Sequence, residues 1–273
     1  MRKFEGILLC TDLDGTLLRS DKTISKKNLE AIEYFKSEGG FFTFMTGRMP
    51  FTAFDLCEKV KPNAPFGCIN GGGIFDYEKK TYIYKNGINR DAVKLVEYIF
   101  DAVPEVGFQV NTFDKIYFPR DNAAMEHFRR DTGYPLCTAS LEEITDPLAK
   151  IICGDECEER LMHVAKLLSE HPLAKSFDFI RSEKILYEIL PKGNSKGALL
   201  PILCKHLGID PRRSVGAGDY ENDISLLRAA GVGVAVANAT EGAKKAADYI
   251  TVSNDEDAIA AIISDIENGK IKI

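Results

Sequence analysis

The chain has 273 residues, 35 Lys and Arg against 41 Asp and Glu, and a formal net charge of -6. That length excludes a small binding module and suggests one large domain or two moderate ones, and the acidic balance gives no electrostatic reason to bind nucleic acid. Hydrophobic residues at 45% and charged residues at 28% describe a folded chain, and no apolar run approaches the roughly 18 residues of a membrane span, so no membrane partner is expected.

The first segment is basic and then briefly apolar, but Ile7 to Cys10 is too short for a signal-peptide core and runs straight into Asp12 and Asp14. Seven cysteines, mostly in or beside apolar runs, fit a reducing, cytoplasmic setting. Ile7 to Cys10 is continuous rather than alternating, the pattern of a strand buried on both faces. A helix follows, with Ser25 as N-cap and Leu29, Ile32 and Phe35 at helical spacing, and then a strand at Phe41 to Met45. Strand, helix, strand in this order predicts a parallel sheet.

The middle, 81–184, reads differently. Strands are predicted at Tyr82 to Tyr84, Val106 to Phe113, Lys115 to Phe118, Lys150 to Cys153 and Phe177 to Ile180, and helices at Asp91 to Val103, Asn122 to Arg130 and Glu158 to Glu170. Val106, Phe108 and Val110 alternate with Gln109 and Asn111, so an inserted α+β domain with one polar, open sheet face is expected. Cys153 and Cys157, with His163 and His171, make half of a zinc site that no second thiol pair completes. The last stretch returns to the first habit, with strands at Ile185 to Leu190, Arg213 to Gly216, Gly231 to Val236 and Tyr249 to Val252. A closing helix is capped by Ser253 or Asn254, with Asp255, Glu256 and Asp257 in its first turn.

Chemistry gathers at the ends of the predicted strands. Asp12-Leu13-Asp14-Gly15-Thr16 follows the first strand, so both carboxylates lie at the sheet edge where ligands bind in open α/β folds. Phe41 to Met45 delivers Thr46-Gly47-Arg48 to that edge, and Arg213 to Gly216 delivers Gly218-Asp219-Tyr220-Glu221-Asn222-Asp223. Asp219 and Asp223 are close enough to serve one cation, and Lys196 falls near a helix N-terminus that favours anions. Carboxylates beside a hydroxyl and a lysine suit phosphoryl chemistry on Mg²⁺. Competing motifs fail: Gly216-Ala217-Gly218 lacks the third glycine of a dinucleotide fingerprint, the lysine region lacks a Walker A spacing, and Asp219 to Asp223 lacks a calcium-loop glycine.

With these motifs in this order, and Asn238 after them, the sequence resembles the haloacid dehalogenase superfamily, and within it the Cof-type phosphatases with a large cap inserted between the second and third motifs. The resemblance covers the whole chain. It implies a Rossmann-like parallel-sheet core of residues 1–80 and 185–273, with an inserted α+β cap of residues 81–184. It further implies a Mg²⁺-dependent phosphatase acting on a small phosphorylated metabolite, whether sugar phosphate, nucleotide or phosphorylated cofactor. Asp12 would be the nucleophile that forms an aspartyl-phosphate and Asp14 the general acid and base, with a raised pKa and only its backbone carbonyl on the metal. Asp12, Asp14, Asp219 and Asp223 would form the metal site, and Thr46, Gly47 and Lys196 would hold the phosphate. Asn222 and Asn238 are expected on the phosphate side or supporting it. Asn70-Gly71-Gly72-Gly73 replaces the usual Asn-Gly-Ala of the loop facing the leaving group, which predicts a looser loop at Asn70 and Gly71. Arg48 is expected either to touch substrate or to bridge core and cap. Gln109 and Asn111 are expected to select substrate, and Pro201 to kink or delay the helix of Lys196. A phosphomutase and a catalytically silent sugar-phosphate-binding protein are the alternatives.

Overall fold

Four fully buried residues, Leu8–Thr11, form the strand (β1) on which the fold is hung. The structure, a computed structural model, describes residues 2–273. The chain then continues through α1 (Lys26–Ser37), β2 (Phe41–Phe44), α2 (Phe54–Val60), β3 (Phe66–Cys68), β4 (Gly73–Asp76) and β5 (Thr81–Lys85). An inserted unit, Asn86–Asn194, follows, with α3 (Ala92–Ala102), β6 (Gly107–Thr112), β7 (Ile116–Arg120), α4 (Ala123–Thr132), β8 (Leu148–Gly154), α5 (Glu158–Glu170), β9 (Phe177–Glu183) and β10 (Leu186–Pro191). The remainder, which joins the first segment in one unit, is α6 (Lys196–Leu207), β11 (Ser214–Gly218), α7 (Ile224–Ala229), β12 (Val232–Ala235), α8 (Glu241–Ala246), β13 (Tyr249–Ile250) and α9 (Ala258–Glu267).

The outer unit is built on a parallel five-stranded sheet ordered β13-β12-β11-β1-β2, with a small antiparallel sheet β3-β4-β5 beside it. α1 is started by Ser25, whose hydroxyl accepts from the Asn28 amide, and it buries Ile32 and Phe35. Ser195 does the same for α6 through the Ala198 amide. Pro201 lies inside α6 without delaying or ending it, because the cap sets the start and buried Leu199, Leu200, Leu203 and Cys204 hold the helix on its sheet. Ser253 caps a short turn, Asn254–Glu256, rather than the closing helix, so the three acids precede α9, and Asp257 (φ 64°) reverses the chain between them.

The inserted unit is an antiparallel sheet ordered β7-β6-β8-β10-β9. On one face Phe108, Val110, Ile151 and Ile189 meet Leu95, Val96 and Ile99 of α3 and Val164 and Leu168 of α5. Cys153 is buried in that core and Cys157 donates to Glu159, so neither thiol belongs to a zinc site. The opposite face is not open at the predicted positions: Gln109 and Asn111 are buried, and Gln109 donates to Asn111 at 2.9 Å. Register places Asn111 beside Lys150, and Gln109 in line with Ile152 and Glu188. A buried Lys150–Glu188 ion pair of 2.8 Å therefore shares this face, and Phe128 of α4 packs on Phe118 at its edge. Gln109 is paired with Asn111 and Lys150 with Glu188 rather than hydrated, while the Asn111 Nδ2 meets no acceptor among the described residues.

Two strands change places relative to the sequence reading. Ile185 to Leu190 was expected in the parallel sheet, but β10 pairs antiparallel with β8 and β9 in the insertion. Tyr82 to Tyr84, expected in the insertion, lies in β5 and pairs with β4. A short run such as β10, covered on nearly every residue, carries no mark of which sheet it joins, and the half-exposed β5 carries none of which unit it closes.

Candidate active site

The carboxyl ends of β1, β2 and β11 are neighbours because those strands are neighbours, and β1 lies at the point where the strand order reverses. Ladder bonds continue past the strand ends: the Asp12 amide donates to the Ala217 carbonyl (2.9 Å) and the Met45 amide to the Thr11 carbonyl (2.8 Å). Three motifs distant in sequence are thereby brought to one edge. Gly15 (φ 77°) turns the chain back, and a Cβ there would stand 2.5 Å from an Asp219 carboxylate oxygen. The Thr16 hydroxyl donates to that carboxylate at 2.8 Å. Asn238 holds the same turn, since its Nδ2 donates to the Gly15 carbonyl and its Oδ1 accepts from the Asn254 amide. Both ends of its amide are engaged by backbone, so Asn238 supports the loop rather than reaching toward a substrate.

Ligand atoms of Asp12, Asp219 and Asp223 all lie within 4.8 Å of one another. Lys196, only 1% exposed, donates to Asp12 Oδ1 and to Asp223 Oδ1, each at 2.6 Å. The other oxygen of Asp223 accepts from the amides of Asp219 (2.9 Å) and Tyr220 (3.1 Å), which fixes the loop. Burial pushes the Asp12 carboxyl well above the usual range, Lys196 opposes this, and the charges of Asp223 and Asp219 add to it. Asp219 is pushed up to about 7 by burial and by Asp223, against the Thr16 hydroxyl. Burial would discharge Lys196, but Asp12 and Asp223 outweigh it and keep the ammonium charged. One lysine among three carboxylates leaves negative charge uncompensated, and the free oxygens are hard donors: the set fits a divalent cation of the Mg²⁺ type.

The Asp14 side chain stands apart from this group. Arg48 grips it with two bonds of 2.8 Å, from Nε to Oδ2 and from Nη2 to Oδ1, and Lys22 adds a third at 3.1 Å. Burial alone would raise Asp14, but these cations hold it at about 2, the reverse of the raised pKa expected from the sequence. The expected separation from the metal ligands is present, and the guanidinium of Arg48 is engaged by Asp14 and by the Thr52 carbonyl.

Thr46 is buried, with its hydroxyl accepting from the Arg48 amide at 3.1 Å. Beside it runs Ile69-Asn70-Gly71, whose amides at Ile69 and Asn70 donate to the carbonyls of Arg48 (3.0 Å) and Thr46 (3.2 Å). Gly71 (φ 106°) packs so tightly against the Ser195 backbone that a Cβ would collide with it. The expectation of a looser loop is therefore reversed, because the glycines permit close approach instead of freedom. Asn222 reaches this loop and donates to Asn70 Oδ1 at 3.1 Å. Lys22 and the Asn70–Asn222 pair escape sequence reasoning, since partners 8 and 152 residues apart leave no local signal. Gln109 and Asn111 lie in the inserted unit.

A family model described as haloacid dehalogenase-like hydrolase matches residues 9–263. The 5-amino-6-(5-phospho-D-ribitylamino)uracil phosphatase YwtE of Bacillus subtilis (strain 168) is 28% identical, over 96% of this chain and 98% of its own. The pyridoxal phosphate phosphatase YbhA of Escherichia coli (strain K12) is 26% identical, over 94% and 97%. Among solved structures, the haloacid dehalogenase subclass IIB sugar phosphatase BT4131 superposes with a TM-score of 0.84 at 25% identity, covering 97% of this chain and all of that one.

Proposed function

The chain belongs to the haloacid dehalogenase-like hydrolases and is a phosphatase of that family, and from this premise we propose that it hydrolyses the phosphate monoester of a small polar metabolite, with Mg²⁺, through an aspartyl-phosphate on Asp12. The observation that carries the reading is the buried Asp12–Lys196–Asp223 chain with Asp219 beside it. A monoester dianion repels a carboxylate, so positive charge has to meet the phosphoryl oxygens before Asp12 approaches in line. Lys196 provides part of it at the nucleophile itself. Bound among Asp12, Asp219, Asp223 and the Asp14 carbonyl, Mg²⁺ would neutralise the remaining phosphoryl charge. An Asp12 oxygen then bonds to phosphorus as the ester bond breaks, and Asp14 gives the departing alkoxide a proton, which requires that bound substrate first draw Arg48 and Lys22 off its carboxylate so that its pKa rises. Water attacks the acyl phosphate next and yields its proton to Asp14, which restores Asp12 and releases phosphate. Thr46, Gly47 and Lys196 hold the phosphoryl group through both steps.

The substrates in the names of the relatives share a phosphomonoester on a small polar body, and that class is carried over here. Gln109 and Asn111 of the inserted unit are buried, so their part in selectivity would be to shape that sheet rather than to touch substrate, and their alanine variants should shift kcat/KM ratios among esters while sparing a small aryl phosphate. The reaction itself is tested by a screen of phosphorylated metabolites with Mg²⁺, scored by phosphate release, alongside Asp12→Asn. The variant should fold and retain less than about a thousandth of the rate. A higher residual rate removes the covalent mechanism.

A further inference from the structure

The backbone of the Ile69 loop is held in a conformation that L side chains rarely adopt. Ile69, Asn70 and Gly71 have φ of 59°, 48° and 106°, and a β-branched residue in the left-handed region is costly. What that strain places is the Asn70 side chain, 1% exposed, between the Thr46-Gly47 turn and the Asn222-Asp223 turn. Its Oδ1 accepts from Asn222. Its Nδ2 lies against Gly47, so closely that a Cβ on Gly47 would stand 2.8 Å from it. That nitrogen donates to nothing among the described residues, although it is buried, and the Oδ1 of Asn222 accepts nothing either. Folded proteins rarely leave a buried amide donor unmet, and here one is left unmet beside two phosphate-binding positions, on a loop pressed against the residue before Lys196.

We infer that Asn70 is a catalytic residue whose Nδ2 donates a hydrogen bond to a non-bridging oxygen of the phosphoryl group, with Asn222 as the positioning residue that fixes its amide. This rests on the phosphatase reading above. A neutral donor suits the place, because it adds a directed bond to the oxygen without drawing the Asp12 carboxylate away from Lys196. The strained loop keeps the donor in place before substrate arrives, so no reorganisation is needed during the reaction.

The test uses two variants that tolerate positive φ. Asn70→Gly removes the side chain, and Asn70→Asp keeps its shape and its acceptor for Asn222 but replaces the donor with an oxygen. Orthovanadate and inorganic phosphate affinity are measured with saturating Mg²⁺, together with kcat and KM on p-nitrophenyl phosphate and Mg²⁺ half-saturation. Both variants should lose about a hundredfold in kcat/KM and bind vanadate at least about tenfold more weakly, with Mg²⁺ half-saturation unchanged. Asn222→Ala should show the same pattern with a smaller loss. Variants that keep vanadate affinity and kcat within about threefold of the wild type overturn the inference, as does a loss confined to ester turnover with phosphate and vanadate binding intact. If the wild type itself neither hydrolyses esters nor binds vanadate, the phosphatase reading fails as well; an active wild type with indifferent variants removes the Asn70 role alone.

Discussion

Replacing Lys196 by Met keeps the length of the buried stem and removes the one charge that joins Asp12 to Asp223. Both carboxylates are buried, and each loses a 2.6 Å ion pair. Breaking a buried pair from one side costs about 3–5 kcal/mol, because the surviving charge has neither water nor a partner. The cost depends on pH with a definite sign. Asp12 is already raised by burial and by its acidic neighbours, and the loss of Lys196 raises it further. A carboxyl whose folded pKa exceeds its unfolded value binds a proton in the native state that the unfolded chain has released. Stability then falls as pH rises from about 4 toward the folded pKa, by up to about 1.4 kcal/mol per pH unit per group. The deficit of Lys196→Met against wild type, both in EDTA, should therefore be about 3–5 kcal/mol at pH 8 and clearly smaller at pH 5.5. The chain has no Trp, so urea unfolding is best followed by far-UV circular dichroism. A variant as stable as wild type at pH 8, or one more damaged in acid than in base, would refute the reasoning.

Metal binding should carry a related signature, since Asp219 at about 7 must give up a proton to a cation. Calorimetric Mg²⁺ affinity should climb about tenfold per pH unit below about 7 and then level off, and a pH-independent affinity would exclude this coupling. Arg48→Ala removes the two-pronged grip that holds Asp14 low, so the Asp14 carboxyl should rise and hydrolysis of an ester with a poor alkyl leaving group should improve relative to p-nitrophenyl phosphate, which needs no proton; an unchanged ratio would separate Arg48 from proton transfer. In the inserted unit, Lys150→Met should destabilise by about 3–5 kcal/mol by stranding Glu188, and the Lys150→Met/Glu188→Met double variant should recover most of that in urea titrations. No recovery would mean that the pair itself, rather than the stranded charge, holds the sheet.

The sequence was most informative where function rests on short segments at strand ends. Asp12, Thr46 and Asp219 could be placed at one edge because each follows a run that can only be a buried strand. Lys196 could be placed because it falls near a predicted helix N-terminus, which the Ser195 cap turns out to set. What stayed hidden depends on pairings across long separations. Nothing near Arg48 announces that it folds onto Asp14, and nothing near Asn70 announces Asn222. The error at Leu186–Pro191 has the same origin, since a strand with both faces covered looks alike in a parallel and an antiparallel sheet. Gln109 and Asn111 were rightly put on the polar face, but alternation reports polarity and not hydration, and their burial depends on Lys150, Glu188 and α4.

The two ends of the inserted unit are tied to each other. Asn86 donates to the Asn194 side chain at 2.6 Å, and Asn194 donates back to the Asn86 carbonyl at 3.3 Å. A segment of more than a hundred residues thus enters and leaves the chain at a single closed clasp, and the return strand hands over directly to the Ser195 cap that starts the lysine helix. Grafting is the consequence: a foreign insertion with equally close ends, spliced at Asn86 and Asn194, leaves every bond around Asp12 in place. Loop-closure entropy penalises its length only weakly, by about 0.6 kcal/mol per doubling, and the junction spans the same short gap whatever lies between. One such clasp lets residues 86–194 be exchanged wholesale while the residues around Asp12 are inherited unchanged.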